Sequence, residues 1–444
     1  MIFSVSLCIA SFVLLVMLLR KSGISLGLPI AYLFSLLFNH VPGAVAHILG
    51  SPELTPTQYT ETGIWFTAVG SVAFLVGVGV VHLGHGKQVL PSQPAHRQDF
   101  AKFCLVGGLL VTYALSFITV LTSVGMIVLQ GGSIWIFGTL IGLREALRRG
   151  ALIQTTFWVA AMAIYPVMTL VGAGFLSFGS TPVFVILSGL VISTRKTWRV
   201  VVGIAAATFV FFHLFLSYFA NRTDIRDAVW GGASLEIRIE RSAKMFTEIE
   251  FFSREKSHQM RALDARLNQN YFCGLAAEWI DARVVHFLYG RSIKEGLLSL
   301  VPRILWPNKP FYGGSPGIIM EMTGFEVNDT TSFGVGHVME FYINFGIPSL
   351  IGGFLLLGLL FGWLDRRAAL AERSGDLGLA IVYFLPLVAM NMPLGSLAEL
   401  TGSGLSSYLA ALGWCWIWGK WSASKDARKD YLGDRENRIS HTGK

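Results

Sequence analysis

Residues 301–314 read VPRILWPNKPFYGG, and residues 328–346 read NDTTSFGVGHVMEFYINFG. The second segment leads directly into a strongly apolar stretch. His337, Glu340 and Asn344 are spaced i, i+3 and i+7, which predicts that they share one face of a helix entering a membrane. More residue types suited to chemistry lie in these two segments than elsewhere in the chain. We therefore expect them to form a functional site that the rest of the chain holds at a membrane surface.

The composition places the chain among membrane proteins. Of its 444 residues, 53% are hydrophobic and 14% are charged, and the mean hydropathy is +0.57. Soluble proteins carry about 25% charged residues. Runs of ~20 apolar residues predict an all-α polytopic transmembrane bundle. Eleven spans are expected, near residues 2–19, 24–38, 62–83, 103–122, 124–143, 151–170, 175–194, 199–219, 340–363, 377–393 and 404–420.

The distribution of Lys and Arg predicts the orientation of these spans. The short loops 39–61, 171–174 and 394–403 contain neither residue, whereas the alternate loops and the C-terminal tail are basic. Because basic loops stay in the cytoplasm, eleven spans place the N-terminus outside and the C-terminus inside. The run 124–143 contains two adjacent glycines and could instead be re-entrant, but omitting it would place the basic loop near Arg195 outside.

The predicted organisation has four parts: a bundle of about eight spans over 1–219, a large periplasmic loop over 220–339, about three further spans over 340–420 and a cytoplasmic tail over 421–444. Apolar spacing predicts an amphipathic helix over 235–280, whereas Gly and Pro predict irregular structure over 296–339. The loop carries as many acidic as basic residues. The net charge of +8 therefore belongs to the cytoplasmic side and does not indicate a nucleic-acid partner.

The absence of several sequence motifs argues against particular classes of protein. The sequence has no Walker phosphate loop, no DxD metal pair and no CxxC pair among its four cysteines. These absences argue against an ATP-driven pump, a metal-dependent nucleotide-sugar transferase and a zinc site. Few ionisable residues lie within the predicted spans, which argues against an ion-coupled transporter. We expect neither a cofactor nor a metal ion.

Glu340 is the predicted general base. A carboxyl group partly buried at a membrane surface should have a raised pKa, which suits removal of a proton from a sugar hydroxyl. His337 is a second catalytic candidate on the same helix face. The alternative is that both side chains only cap and orient the start of this helix.

Arg303 and Lys309 are predicted to bind an anion. They flank Trp306 and Pro307, and a guanidinium with an ammonium group would stabilise a departing pyrophosphate. The alternative is that these side chains reach lipid headgroups from an apolar segment. With Arg303 among the catalytic residues, the predicted substrate-binding residues are Lys309, Arg261, Arg266, Asn344, Trp306 and Asp329. Arg222 and Arg226 follow the eighth span and, like Arg261 and Arg266, could equally be solvated or paired with nearby acids.

The segments PRILWPNKP and EFYINFGIPSLIGG, some thirty residues apart, resemble the C-terminal half of the Wzy-type O-antigen and exopolysaccharide repeat-unit polymerases. The resemblance is specific over about residues 280–365 and architectural before the large loop. It implies an enzyme of the bacterial inner (cytoplasmic) membrane that acts at the periplasmic face on oligosaccharides linked to undecaprenyl diphosphate. The growing chain would leave its lipid carrier and join the next lipid-linked repeat unit. A chain-length regulator could be a further partner.

The resemblance also implies roles for individual residues. By motif position, Arg303 would hold the diphosphate, with Arg261 or Arg266 as helpers. Glu340 occupies the first position of the EFYINFG segment, and its role as base is our own inference from its position. The activated diphosphate bond would supply the energy for transfer.

Three other functions remain open from the sequence. An O-antigen ligase would use the same donor with a different acceptor. A flippase or exporter of the lipid-linked unit would perform no chemistry, and it should line a polar cavity with charges inside the spans. A structural subunit of an envelope complex would require neither Arg303 nor Glu340.

Overall fold

The computed structural model describes residues 1–50, 55–83, 97–114, 122–174, 176–194, 196–249, 251–252, 257–301, 305–306, 308–310, 314–326 and 334–442. Within these ranges the chain forms helices and no strands. The first nine helices are α1 (Ile2–Ser22), α2 (Leu28–Ile48), α3 (Thr57–Leu83), α4 (Arg97–Ala114), α5 (Thr122–Gly132), α6 (Ile134–Arg149), α7 (Leu152–Ala173), α8 (Ser177–Ser193) and α9 (Thr197–Trp230). The second nine are α10 (Leu235–Thr247), α11 (Ser257–Arg266), α12 (Asn270–Asp281), α13 (Arg291–Ser299), α14 (Gly314–Thr323), α15 (His337–Phe345), α16 (Ile347–Ser374), α17 (Leu377–Ala389) and α18 (Leu397–Thr442).

Seven helices of the described chain are long and apolar enough to cross a membrane. They are Ile2–Ser22, Leu28–Ile48, Thr57–Leu83, Gly125–Arg149, Leu152–Gly172, Thr197–Trp230 and Ile347–Ser374. Gly179–Ser193 and Leu377–Ala389 are shorter apolar helices. The all-α class expected from the sequence is confirmed, and these helices agree with a membrane protein, whereas the count of eleven spans stays a prediction. The segment around residues 124–143 consists of α5 and α6, which are separated only at Ser133.

Glycines allow α3 and α16 to pack with their backbones in contact. A Cβ atom at Gly358 would lie 2.3 Å from the backbone oxygen of Phe74, and one at Gly77 would lie 2.4 Å from that of Leu355. Contacts advance in the same direction along both helices, since Gly70 meets Phe354 and Gly362 meets Val78. The two helices are therefore parallel. Lipid provides little hydrophobic force between helices, so close packing of small residues is a main source of their association.

Charged residues at one end of the bundle tie helix ends together. Asp365 is fully buried in α16, and its Oδ1 accepts hydrogen bonds from the backbone N–H groups of Leu26 and Leu28, at the start of α2. Close by, Arg97 forms an ion pair with Glu372 at 2.6 Å. We call this the Asp365 end. The negative carboxylate satisfies N–H groups that a helix start otherwise leaves without partners.

The long segment between α9 and α16 is largely helical and packs into the opposite end, which we call the Glu340 end. Over 235–280 the structure has three helices, α10 to α12, where the sequence predicts one amphipathic helix. α12 is packed into the bundle against α3: a Cβ atom at Gly63 would lie 2.2 Å from the Asn270 oxygen, and one at Gly274 would lie 2.1 Å from the Tyr59 oxygen. The stretch expected to be irregular contains α14 and the end of α13.

The predicted span starting at residue 340 is interrupted. Gly346 has φ 71° and ψ −148°, a conformation that ends α15 before α16 begins. His337, Glu340 and Asn344 therefore lie on a separate short helix and not on the transmembrane helix that follows. The glycine at this position was visible in the sequence, but the apolar residues on both sides concealed the break.

We predict that Gly358→Ala destabilises the folded protein. The new Cβ atom would meet the Phe74 backbone oxygen, so α3 and α16 would have to separate, at a cost of about 1–3 kcal/mol. Thermal unfolding in detergent measures the loss. Gly352→Ala is the matched control on the same helix, because its Cβ would have no heavy atom within 4 Å. Equal stability of the two variants would contradict the tight packing of α3 on α16.

Candidate functional site

The short helix α15 is enclosed by segments from distant parts of the chain. Its first residue, His337, donates its backbone N–H to the Pro393 oxygen at 2.9 Å. Near its end, the Ile343 oxygen accepts from the Leu288 N–H at 2.8 Å. These bonds fix α15 between the loop before α18 and the loop before α13. The three predicted residues on α15 are all buried.

Glu340 lies against the start of α18. The side chain is 1% exposed, and its Oε2 accepts a hydrogen bond of 2.7 Å from the Leu397 N–H, with a second from the Ser292 side chain. The same helix start carries a capping box, in which Ser396 and Glu399 bond each other's backbone N–H. Glu340 therefore caps the start of α18, whereas the alternative interpretation of the sequence had it cap the start of its own helix.

The environment of Glu340 sets its protonation. Burial raises the pKa of this carboxyl to about 7, and the nearby charges of Glu399 and Glu295 add to the increase. The hydrogen bonds from Leu397 and Ser292 act in the opposite direction. A carboxyl group that titrates near neutral pH can accept or release a proton there. Glu399 is exposed and Glu295 half-buried, so acidic groups extend from Glu340 towards solvent.

His337 is fully buried and belongs to an aromatic cluster. Its Nδ1 lies 2.7 Å from the Tyr32 hydroxyl, and its ring stacks on the Tyr32 ring at a centroid distance of 5.9 Å. Burial lowers the pKa of His337 to about 3, so the imidazole is neutral at physiological pH. Its Nε2 has no hydrogen-bond partner among the described residues. In this arrangement His337 supplies no positive charge to a substrate.

Asn344 connects α15 to the start of α13. Its Oδ1 accepts from the Gly290 N–H at 3.0 Å, and its Nδ2 donates to the Ser292 hydroxyl at 2.8 Å and to the Glu340 backbone oxygen at 2.7 Å. All of these partners are protein groups. Through Ser292, Asn344 also helps to fix the position of the Glu340 side chain.

The PRILWPNKP segment is described in part. Lys309 is half-buried and its Nζ donates to the backbone oxygens of Ser299, the last residue of α13, and of Val301, at 2.9 and 3.0 Å. Trp306 is half-buried, and its backbone oxygen accepts from the Lys309 N–H. Lys309 therefore stabilises carbonyl groups at a helix C-terminus. Arg303 and Asp329 lie outside the described residues.

Three arginines gather where α9 and α11 meet at the Glu340 end. The guanidinium carbons of Arg222 and Arg266 lie 5.6 and 5.9 Å from the centroid of the same ring, that of Phe219. Burial above all, and then the charges of Arg222 and Arg226, lower the pKa of Arg266 to about 10. This effect shows that Arg226 also lies close to Arg266. We call Arg222, Arg226 and Arg266 the arginine cluster. Arg261 is exposed on α11 and does not contribute to the lowered pKa of Arg266.

The arginine cluster is connected to α15 through the chain between α11 and α12. Gln269 follows Arg266 by three residues, and its Nε2 donates to the Gly334 oxygen at 2.5 Å. Gly334 precedes His337 by three residues. The structure therefore brings the predicted helper Arg266, with Arg222 and Arg226, to the same end of the bundle as Glu340.

A buried polar network that the sequence reading did not predict holds this corner in place. Asn270 donates to the His40 backbone oxygen at 2.7 Å and accepts from His40 Nδ1 at 2.8 Å. Asp264 lies 2.9 Å from His47 Nε2 and accepts from Thr55. The sequence places both histidines in the predicted loop 39–61, so it did not predict that they would be buried. A signal was present, since polar residues recur at Asp264, Asn268 and Asn270 within an apolar pattern.

Within the described ranges, no group of three or more His, Cys, Asp or Glu side chains is arranged to hold a metal ion. The site offers one buried carboxyl of raised pKa, and the arginine cluster lies at the same end of the bundle. No family model, no curated protein and no solved structure matches this chain.

Glu340 should make stability depend on pH. Its pKa is raised from 4.5 to about 7 on folding, so between these values the folded protein binds the proton more tightly than the unfolded chain. Stability is then greatest at low pH and falls as pH rises through this window, by on the order of 3 kcal/mol from this group. We expect Glu340→Gln to unfold at similar temperatures at pH 5 and pH 7.5, whereas the wild type loses stability.

Glu326→Gln is the control for this measurement, because Glu326 is exposed on the same segment of chain. It should keep the pH dependence of the wild type. A wild-type unfolding temperature that does not fall between pH 5 and pH 7.5, relative to Glu340→Gln, would contradict a raised pKa at Glu340.

Proposed function

We propose that this protein is a polytopic glycosyltransferase of the bacterial cytoplasmic membrane that polymerises polysaccharide repeat units. Its donor is an oligosaccharide linked to undecaprenyl diphosphate, and its acceptor is the next lipid-linked repeat unit. The observation that carries the proposal is the arginine cluster at the Glu340 end, where three guanidinium groups meet at the end of a membrane-spanning helix. The sequence resemblance over PRILWPNKP and EFYINFG supplies the class of substrate.

A lipid diphosphate fits the arginine cluster by charge and by position. Arginine forms paired hydrogen bonds with phosphate oxygens, and several arginines together can hold a group that carries multiple negative charges. Arg222 and Arg226 lie at the last turns of α9, a helix whose preceding residues are apolar. A lipid chain can therefore lie along α9 while its diphosphate reaches the cluster.

The proposed reaction joins the acceptor to the donor sugar. An acceptor hydroxyl oxygen bonds to the anomeric carbon as the bond from that carbon to the diphosphate breaks. Undecaprenyl diphosphate leaves with the bonding electrons, and its charge is stabilised by the arginine cluster together with Arg303. Glu340 takes the hydroxyl proton, which its pKa of about 7 allows. Because Glu340 is 1% exposed, the acceptor must displace part of the surrounding α13–α18 packing to reach it.

The proposed topology has eleven spans, with the N-terminus outside and the C-terminus inside. The crossing segments are α1, α2, α3, α4, α5 with α6, α7, α8, α9, α16, α17 and α18. Contacts at the Asp365 end agree with this alternation, since the end of α1 meets the end of α8 through Arg20 and Val191. Arg97 at the start of α4 likewise meets Glu372 at the end of α16. Basic residues at this end make it the cytoplasmic one, and the Glu340 end is then periplasmic.

A fusion experiment tests the topology. Green fluorescent protein attached after Lys444 should fluoresce, because it folds in the cytoplasm, and alkaline phosphatase inserted near Gly232 should be active, because it folds in the periplasm. Gly232 lies in the turn after α9 and has open space around it. The eleven-span arrangement would be overturned if, in protein that reaches the membrane, the C-terminal fusion did not fluoresce or the alkaline phosphatase near Gly232 were inactive.

The function is tested by the length of surface polysaccharide in a deletion strain. Arg266→Gln and Arg222→Gln should each reduce long chains at least tenfold and leave single repeat units, because the diphosphate loses one charged partner of roughly 1.5–3 kcal/mol. Glu340→Gln should show the same loss if its carboxylate accepts the proton. Arg241→Gln is the matched control, since Arg241 is half-buried and its charge is already paired with exposed Asp224 at 3.2 Å. Membrane levels of all variants are measured alongside.

Each other outcome identifies a different function. Long chains that form but are not joined to their outer-membrane acceptor would make the protein a ligase. Absence of even single units from the periplasm would make it a transporter. Normal long chains in well-expressed Arg266→Gln and Arg222→Gln would remove the arginine cluster from the site.

A further inference from the structure

A cavity of about 190 Å³ lies between four helices near the Asp365 end. It is bordered by α1, α2, α8 and α9, and its walls are apolar except for the side chains of Ser188, Thr194 and Arg199. The aromatic part of the wall consists of Phe12, Phe34 and Phe184. For scale, an engineered cavity of about 150 Å³ with apolar walls binds benzene. The space is therefore large enough for part of a hydrocarbon chain.

The cavity is open at the side of α9. Gly203 and Arg199 both line it and both are exposed. A Cβ atom added at Gly203 would have no heavy atom within 4 Å, which places open space directly beside the helix backbone. A chain lying between α8 and α9 can thus enter from the lipid that surrounds the bundle.

Positive charge surrounds the opening, and no lining residue is acidic. The Arg199 guanidinium lies 5.6 Å from the ring centroid of its neighbour Trp198, and it has no ion pair within the described chain. Arg20 reaches the same region, since it donates to the backbone oxygen of Val191, a lining residue. Lys196 immediately precedes α9, the helix that carries Arg199.

We infer that this cavity is a binding site for an anionic phospholipid. One acyl chain occupies the apolar space between Phe34, Phe184 and Ile204, and the phosphate of the headgroup is bound by Arg199. In the proposed topology this lipid belongs to the cytoplasmic leaflet. Its site is then at the opposite end of the bundle from the arginine cluster, and its occupant is distinct from the undecaprenyl diphosphate donor.

The charge at the opening selects the headgroup. Basic residues between helix ends attract anionic lipids with about 1 kcal/mol for each Lys or Arg near the surface. A neutral phospholipid could fill the cavity with its chain but would gain no net charge attraction from Arg199. An apolar cavity facing lipid is not filled by water, because its walls offer water too few hydrogen-bonding partners.

The test is native mass spectrometry of the full-length protein released from nanodiscs. Discs would hold phosphatidylglycerol and phosphatidylcholine with the same acyl chains in equal amounts. We expect one phosphatidylglycerol to remain bound in preference to phosphatidylcholine. Arg199→Gln should reduce this preference about fivefold, which corresponds to the loss of one basic residue near the lipid. Gly203→Trp should remove the bound lipid, because its indole side chain would occupy the cavity.

Two matched controls accompany these variants. Arg367→Gln removes an exposed arginine that lies 5.9 Å from the Trp363 ring, the same type of contact as that of Arg199, on a helix that does not line the cavity. Gly413→Trp places an indole at another exposed helix glycine with open space around it. Both should retain the lipid as the wild type does. If Gly203→Trp does not fold, Ala207→Phe fills the same cavity one turn further along α9.

Equal retention of the two lipids by the wild type, or an unchanged preference in Arg199→Gln, would overturn the assignment of the headgroup. Bound lipid in folded Gly203→Trp or Ala207→Phe would show that the lipid lies elsewhere. A fivefold loss in Arg367→Gln as well would mean that general surface charge is responsible and would overturn a specific site. Co-purification of undecaprenyl diphosphate in place of the phospholipid, lost in Gly203→Trp, would identify the cavity with the donor and contradict the inference.

Discussion

The buried side chain of Asn270 is the interaction on which the Glu340 end depends. Its amide bonds both the backbone and the ring of His40, so it fixes the start of α12 inside the bundle. Without these partners, burying the amide would cost several kcal/mol, so the inserted position of α12 requires both bonds to His40. With α12 in place, Gly63 and Gly274 allow its backbone to contact α3, and α15 then packs against α12. The position of Glu340 follows from these contacts.

Glu340 combines a structural and a chemical property in one carboxyl group. Its negative form is favoured by the N–H groups at the start of α18 and by Ser292, whereas burial and the acids Glu295 and Glu399 favour its neutral form. These opposing influences leave the pKa of Glu340 at about 7, so the carboxyl group can gain or lose a proton at neutral pH at little cost in free energy. Because one of these hydrogen bonds caps the start of α18, gain or loss of the Glu340 proton affects the packing of that helix. Because the raised pKa makes the folded protein more stable when Glu340 is protonated, the carboxylate form that a base requires is the one in which the surrounding packing opens more easily. This is a physical route by which an acceptor could enter.

The sequence predicted the membrane bundle because apolar runs depend only on composition, and the positions of α1, α3, α7 and α9 follow from them. Arg266 as a substrate-binding residue stays a prediction, and the structure places it at the same end of the bundle as Glu340. The sequence did not predict the break at Gly346, because apolar residues on both sides concealed it. It did not predict the insertion of α12 either, because that depends on contacts between residues far apart in the sequence. His40 and Asp264 were missed for the same reason: each looks like a surface residue until its partner is known. The spacing of His337, Glu340 and Asn344 correctly placed them on one helix, but the partners on α13 and α18 that define their roles could not be read from spacing.

The two ends of the bundle use arginine in different ways, and the difference supports the placement of the donor. At the Asp365 end, Arg20 and Arg144 donate to backbone oxygens near the end of α8, and Arg97 pairs with Glu372, so the charges stabilise helix ends and one another. In the arginine cluster, burial and then the like charges of Arg222 and Arg226 lower the pKa of Arg266, which is a cost to the folded protein. A bound diphosphate would offset the repulsion among the three guanidinium groups, and this relief would add to its binding energy. That relief favours the arginine cluster over isolated Lys309, whose ammonium group is already hydrogen-bonded to the carbonyls after α13.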